Sequence, residues 1–132
     1  MSNDLETLAR RVVACKRWRW MEGMKVVFPP VHEGDTGFCK RLSYGDYNLV
    51  DMEYPDLSDP ATLGCLLALV REAWGCPIIC VSHYAGRWWL DLLGDDAVCG
   101  PAVTDALVST LARLDAAELE AAVLVSALEA AP

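Results

Sequence analysis

Cys76, Cys80 and His83 stand at C-x3-C-x2-H spacing, the first place in this chain where side chains could do chemistry together. Structural zinc takes four thiolate or imidazole ligands in a tetrahedron, and close-set pairs of this kind supply them. Cys99, Cys39 or His32 could complete the set. Strand geometry competes with that reading. Residues 78–83 are a β-branched, apolar run, and strand residues three apart point to opposite faces. Two packed cysteines and a hairpin-end histidine satisfy the same pattern, so no metal and no other cofactor is expected. A thiol nucleophile needs a base within reach, and only His32 and His83 are present. Cys99, ahead of Gly100-Pro101, could sit at a helix N-terminus that lowers its pKa and pair with His83 and Asp91. Nothing around it matches a cysteine-enzyme signature. The chain also has no phosphate-binding glycine loop, no H-E-x-x-H and no G-x-S-x-G. Asp95-Asp96 in a glycine-flanked turn could hold a hard cation, although turns use such pairs routinely. No catalytic residue is assigned, and the chain is read as a non-enzyme.

Two further constellations could bind rather than react. Arg17, Trp18, Arg19 and Trp20, with Lys16 before them, interleave cations with indoles, the chemistry of base stacking plus phosphate attraction. Aromatic and Arg residues are equally the anchors of protein interfaces. A plain alternating strand, its Trp face on the first helix and its Arg face in water, would give the same pattern. The second constellation is acidic. Between Glu33 and Asp59 seven acids face only Lys40 and Arg41, interleaved with Phe38, Tyr44, Tyr47 and Tyr54. Asp46, Asp51, Glu53 and Asp56, with Tyr47 and Tyr54, form the candidate partner-binding surface, one that could imitate phosphates to a nucleic-acid-binding protein. A solvated loop is the simpler alternative.

The charge layout constrains the partners. Residues 1–25 hold six Lys/Arg against three acids, whereas residues 26–132 hold five against sixteen, for a net charge of −8. An acidic body repels nucleic-acid phosphates, leaving only the N-terminal cluster to touch an anion. It also keeps a 54% apolar chain soluble. No apolar run approaches the roughly 18 residues of a membrane span, and no apolar signal segment follows Met1-Ser2-Asn3-Asp4. A cytoplasmic location is expected, the host cytoplasm if the chain is phage-encoded. The six cysteines are accordingly read as reduced and packed.

The elements that must position these residues are legible in part. Leu5, Leu8, Val12 and Val13 recur at helical spacing, predicting a helix over 3–15 behind an Asn3 cap. The alternation at Trp18 and Trp20, with Glu22-Gly23 as a turn and Pro29-Pro30 as a stop, predicts a first hairpin over 18–28. Residues 31–58 lack sustained periodicity and read as a loop or strand-containing excursion, with a short strand around Tyr47–Met52. Asp59-Pro60 and Gly75 bracket a helix over 60–74 whose stripe is Leu63, Leu66, Leu67, Val70 and Trp74. Residues 78–83 and 87–92 read as strands joined near Ala85-Gly86. A helix over 104–114 follows Gly100-Pro101. Asp115 and Glu118, spaced like a capping box, open an alanine-rich helix over 116–130. This is an α+β fold of small antiparallel hairpins packed between helices in one domain. The alanine-rich helix offers a surface either to its own core or to a second copy of the chain.

Asp59-Pro60-Ala61, the Leu66–Trp74 stripe with Gly75, Trp88-Trp89, and Pro101 to Leu114 together give an order of helix, hairpin and helix. That order resembles the short phage-encoded domains described as phage ABA-sandwich proteins. The resemblance covers residues 59–114 and implies a phage or prophage origin with nothing catalytic. The function expected is a non-enzymatic phage or prophage accessory protein acting by protein–protein binding, such as an acidic inhibitor of host nucleic-acid-binding or defence machinery. The alternative is a nucleic-acid-contacting module built on residues 16–20, and a weaker one is a small zinc- or cysteine-dependent enzyme.

Overall fold

Asp59 and Gly75 bracket a helix that packs against the last described helix and the strand that follows it. The computed structural model describes residues 2–30, 34, 36–43, 53–84, 87–92 and 120–131. Over these the fold is α+β, with helices packed on two small antiparallel sheets. Helix α1 spans Ser2–Val13 and buries Leu8, Ala9 and Val12, the apolar stripe that its 3.6-residue period requires. It begins before Asn3, so that residue lies within the helix rather than at its cap.

Strand β1 (Lys25–Phe28) is the centre of a three-stranded sheet, flanked by β2 (Phe38–Arg41) and β3 (Tyr54–Pro55). In the register Val27 faces Cys39 on one side and Tyr54 on the other. The hairpin expected over 18–28 does not form. Trp18–Trp20 is not strand, Met21–Met24 is a turn closed by Met24 N–H on the Met21 carbonyl, and β1 pairs with chain that is distant in sequence. Local alternation cannot reveal a strand's partner, and here both partners lie in the segment read as an excursion. Gly37 explains the close return of β2: a Cβ there would lie 2.8 Å from the Phe28 carbonyl oxygen.

Helix α2 (Pro60–Trp74) has the bounds its punctuation predicts. Asp59 accepts from the Thr62 N–H, Pro60 stands in the first turn, and Gly75 ends the helix at φ 63, a conformation glycine adopts without a Cβ clash. The buried face is Thr62, Leu66, Leu69, Val70, Ala73 and Trp74, with Leu63 and Leu67 at its margin. Strands β4 (Ile79–Tyr84) and β5 (Arg87–Leu92) pair antiparallel. The Arg71 Nε donates to the Ile79 carbonyl at 2.6 Å, tying β4 back to α2. The last described helix, α3 (Glu120–Ala130), packs on α1, α2 and β5. Val123, Leu124, Val125, Ala127 and Leu128 are buried there, and the Trp74 indole donates to the Ala127 carbonyl at 2.9 Å. Its apolar surface is thus engaged within the chain. The strand around Tyr47–Met52, the Ala85-Gly86 turn, the 104–114 helix and the Asp115/Glu118 break lie outside the described residues. Among the described residues, no helix is long and apolar enough to cross a membrane.

One carboxylate joins the sheet to α2. Asp59 takes both Nη atoms of Arg41, at 2.8 and 2.9 Å, and the Thr62 N–H and hydroxyl, at 3.0 and 2.9 Å. Arg41 Nη1 also donates to the Gly23 carbonyl, and the buried Thr62 hydroxyl accepts the Lys25 N–H at 2.8 Å. Asp59→Ala removes a cap and a half-exposed ion pair, an expected loss of about 2 kcal/mol by urea denaturation at neutral pH. The Arg41 guanidinium, with the Thr62 donors, holds the Asp59 carboxyl well below the usual range. Its contribution is therefore complete above the ordinary carboxylate pKa and is lost as pH falls below it. The stability gap between the wild type and Asp59→Asn should narrow from about pH 5 towards about pH 2; a gap independent of pH contradicts the ion pair.

Candidate functional site

The cysteines divide into two chemical states. Cys15, Cys39, Cys65 and Cys80 are free, whereas Cys76 is disulfide-bonded. The expectation of reduced cysteines throughout therefore fails at Cys76. A bridge needs two Cβ atoms brought within about 4.5 Å, and that is a tertiary fact which sequence spacing does not report. A disulfide sulfur is not a thiolate ligand, so Cys76 cannot join Cys80 and His83 around zinc. Cys80 and His83 are also parted by the strand: they are three residues apart on β4, with Cys80 half-buried and His83 exposed. In the β4–β5 register His83 faces Trp88 while Cys80 faces Asp91. His83 and Asp91 are thus three rungs apart along the ladder, and Cys99, Asp95 and Asp96 lie outside the described residues. Among the described residues no group of three or more His, Cys, Asp or Glu could hold a metal ion. The other thiols with resolved surroundings are quiet. Burial pushes the Cys15 and Cys65 thiols up, and each donates to a carbonyl at 3.6 Å, of Arg11 and Glu22 respectively.

The strip at 17–20 is part of the packing. Trp18 and Trp20 meet edge to face with ring centroids 5.3 Å apart, half-buried against the core. The Trp18 Nε1 is buried and has no hydrogen-bond partner among the described residues. Arg19 Nη1 binds Glu72 Oε1 at 2.7 Å, and this bond holds the Glu72 carboxyl below its usual range. Arg17 and Arg19 are exposed, so the strip presents guanidinium to water and indole to the interior.

Of the six acidic-surface candidates, Asp46, Tyr47 and Asp51 lie outside the described residues. The other three are half-buried. Glu53 is half-buried, and its Oε2 is buried without a hydrogen-bond partner among the described residues. Tyr54 packs against the core beneath Arg10, whose guanidinium carbon sits 4.8 Å from the ring centroid, and burial pushes its phenol up. Asp56 accepts the Ser58 N–H at 3.0 Å and pairs with Lys25 at 3.7 Å, building the turn that leads into α2.

Sequence reasoning missed two features. The first is the β2 edge. All four residues of β2 are exposed, and Phe38 is the one exposed large apolar side chain among the described residues, at 62%. Its ring stacks on Phe28 at 4.6 Å and 11°. The Pro29-Pro30 stop and the return through Gly37 were the available signals, but each marks a break rather than a pairing. The second is a cleft of about 450 Å³ where the ends of α1 and α3 meet, lined by Arg11, Cys15, Lys16, Arg17, Leu128 and Glu129 among others.

Comparison with known proteins adds no further constraint: no protein-family model, no curated protein and no solved structure matches this chain.

Alkylation of the denatured, unreduced protein, mapped by peptide mass spectrometry, should label Cys15, Cys39, Cys65 and Cys80 and spare Cys76. Stoichiometric labelling of Cys76 without reductant would show that the bridge is absent.

Proposed function

We propose that this chain is a non-enzymatic accessory protein that acts by binding another protein, with the Phe28–Phe38 edge as its principal contact. The observation that carries the reading is the exposure of Phe38 on a ring already stacked against Phe28. Aromatic side chains dominate interface energetics, and a ring fixed in advance loses little freedom on docking. The partner is an extended segment presenting an apolar side chain, because β2 forms one edge of its sheet among the described residues and edge strands recruit strands. A phage or prophage setting, with a host protein as target, belongs to the same proposal and rests on the ABA-sandwich resemblance alone.

The geometry favours this contact over the two surfaces expected from sequence. Nucleic-acid stacking needs exposed ring faces, and Trp18 and Trp20 are half-buried against the core. Phosphate mimicry needs outward carboxylates, whereas the Glu53 Oε2 is buried and Asp56 pairs with Lys25.

Capture by tagged protein from a lysate of the encoding cells, with and without nuclease, separates these readings. Phe38→Asp should abolish recovery of a nuclease-resistant partner, while Arg17→Ala with Arg19→Ala leaves it unchanged. Retention by Phe38→Asp, or loss of the partner on nuclease treatment, overturns the proposal. The exposure of Phe38 makes an effect on folding small, and circular dichroism of the variant checks this.

A further inference from the structure

We propose that the edge of β2 pairs with the same edge of a second copy of this chain, antiparallel about a two-fold axis at Phe38. This rests on the reading of the Phe28–Phe38 edge as a contact surface, and it names the occupant of that edge when no other partner is bound. The Leu42 N–H donates to the Met24 carbonyl at 2.8 Å, which sets the alternation of the β1–β2 ladder. Phe38 and Lys40 therefore turn their amides and carbonyls to β1, and Cys39 and Arg41 turn theirs outward. Neither Cys39 nor Arg41 uses its backbone in another hydrogen bond among the described residues. Residues 36–41 are all exposed.

The other edge of the described sheet is closed to such pairing. The Asp56 N–H donates to the Lys25 carbonyl at 2.8 Å, so on β3 Tyr54 turns to β1 and Pro55 turns outward. Proline has no N–H to offer a further strand. A sheet with one open edge is completed by one two-fold partner, which gives a closed pair rather than a filament. Two-fold centres at Lys40 or Arg41 would set like charges directly opposite each other, which is destabilising. A centre at Cys39 would set Phe38 opposite a lysine. A centre at Phe38 sets two aromatic rings opposite each other in a non-hydrogen-bonded pair, where cross-strand side chains approach closest. Each ring is already stacked on its own Phe28, and the pairing covers the exposed large apolar side chain of the described residues. Gly37 then falls opposite Cys39 of the second copy, with no side chain to obstruct the approach.

Sedimentation velocity of the purified chain from about 10 µM to about 1 mM tests this, since so small a contact belongs in the weak range of affinities. The wild type should shift from monomer to dimer. The shift should be larger at higher salt, because screening relieves repulsion between two bodies of net charge −8. Phe38→Asp should remove the dimer. Cys39→Pro should do the same, because it deletes the outward N–H and leaves the β1 ladder intact. Amide exchange at Cys39 should slow as the wild-type concentration rises, and circular dichroism checks that both variants fold. A dimer that survives either folded variant, or a Cys39 amide unaffected by concentration, overturns the proposal. A monomer at every concentration with lysate capture retained overturns self-pairing alone, whereas a dimer with no captured partner supports self-pairing and overturns the other reading.

Discussion

The carboxylate of Asp59 is the constraint on which the arrangement of sheet and helix depends. It is at once the N-cap of α2, the acceptor for the buried Thr62 hydroxyl and the bidentate partner of Arg41 on β2. Through Thr62 it reaches the Lys25 N–H at the start of β1. An isolated cap or an isolated surface ion pair is worth little. Here one group satisfies a helix amide, a buried hydroxyl and a guanidinium together, so β1, β2 and α2 cannot shift relative to one another without stranding a buried polar atom. Thr62 is the buried polar residue of the described core, and this network is why its burial is tolerated.

Other charges staple elements in the same way. Arg11 to Glu129 joins α1 to α3, Arg19 to Glu72 joins the α1–β1 connection to α2, and Arg10 covers Tyr54 of β3. Of the N-terminal basic cluster, which stands apart in the sequence as a candidate anion contact, Arg11, Arg19 and Lys25 are paired with acids of the body. The structure turns a division of charge along the chain into cross-links between elements. Among the described residues Lys16 makes no ion pair, and it stands exposed after the end of α1.

Surfaces that bind are recognised by what the fold leaves uncovered. Trp18 and Trp20 are more arresting than Phe38 in a sequence, yet burial makes them packing groups while Phe38 is exposed on a strand edge. Asp56 and Glu53 contribute to a strongly acidic segment, yet one builds the approach to α2 and the other is drawn inward. Residue type names the chemistry a side chain can perform, and exposure decides whether a partner can reach it.

Local signals determined the elements whose causes are local. Asp59-Pro60, the apolar period through Trp74 and Gly75 specify α2 to the residue, because caps and periodicity act within one helix. The two strands at 79–84 and 87–92 follow for the same reason, from β-branched and aromatic runs. The class, α+β, is the sum of such elements. Only the tertiary structure decided that β1 pairs with 38–41 and 54–55 rather than with 18–20, since pairing depends on which distant segment closes onto a strand. Only it decided that Cys76 is bridged and that Lys16, Arg17 and Leu128 line one cleft. These are distances between residues far apart in the chain, and they are set by packing rather than by any neighbour in sequence.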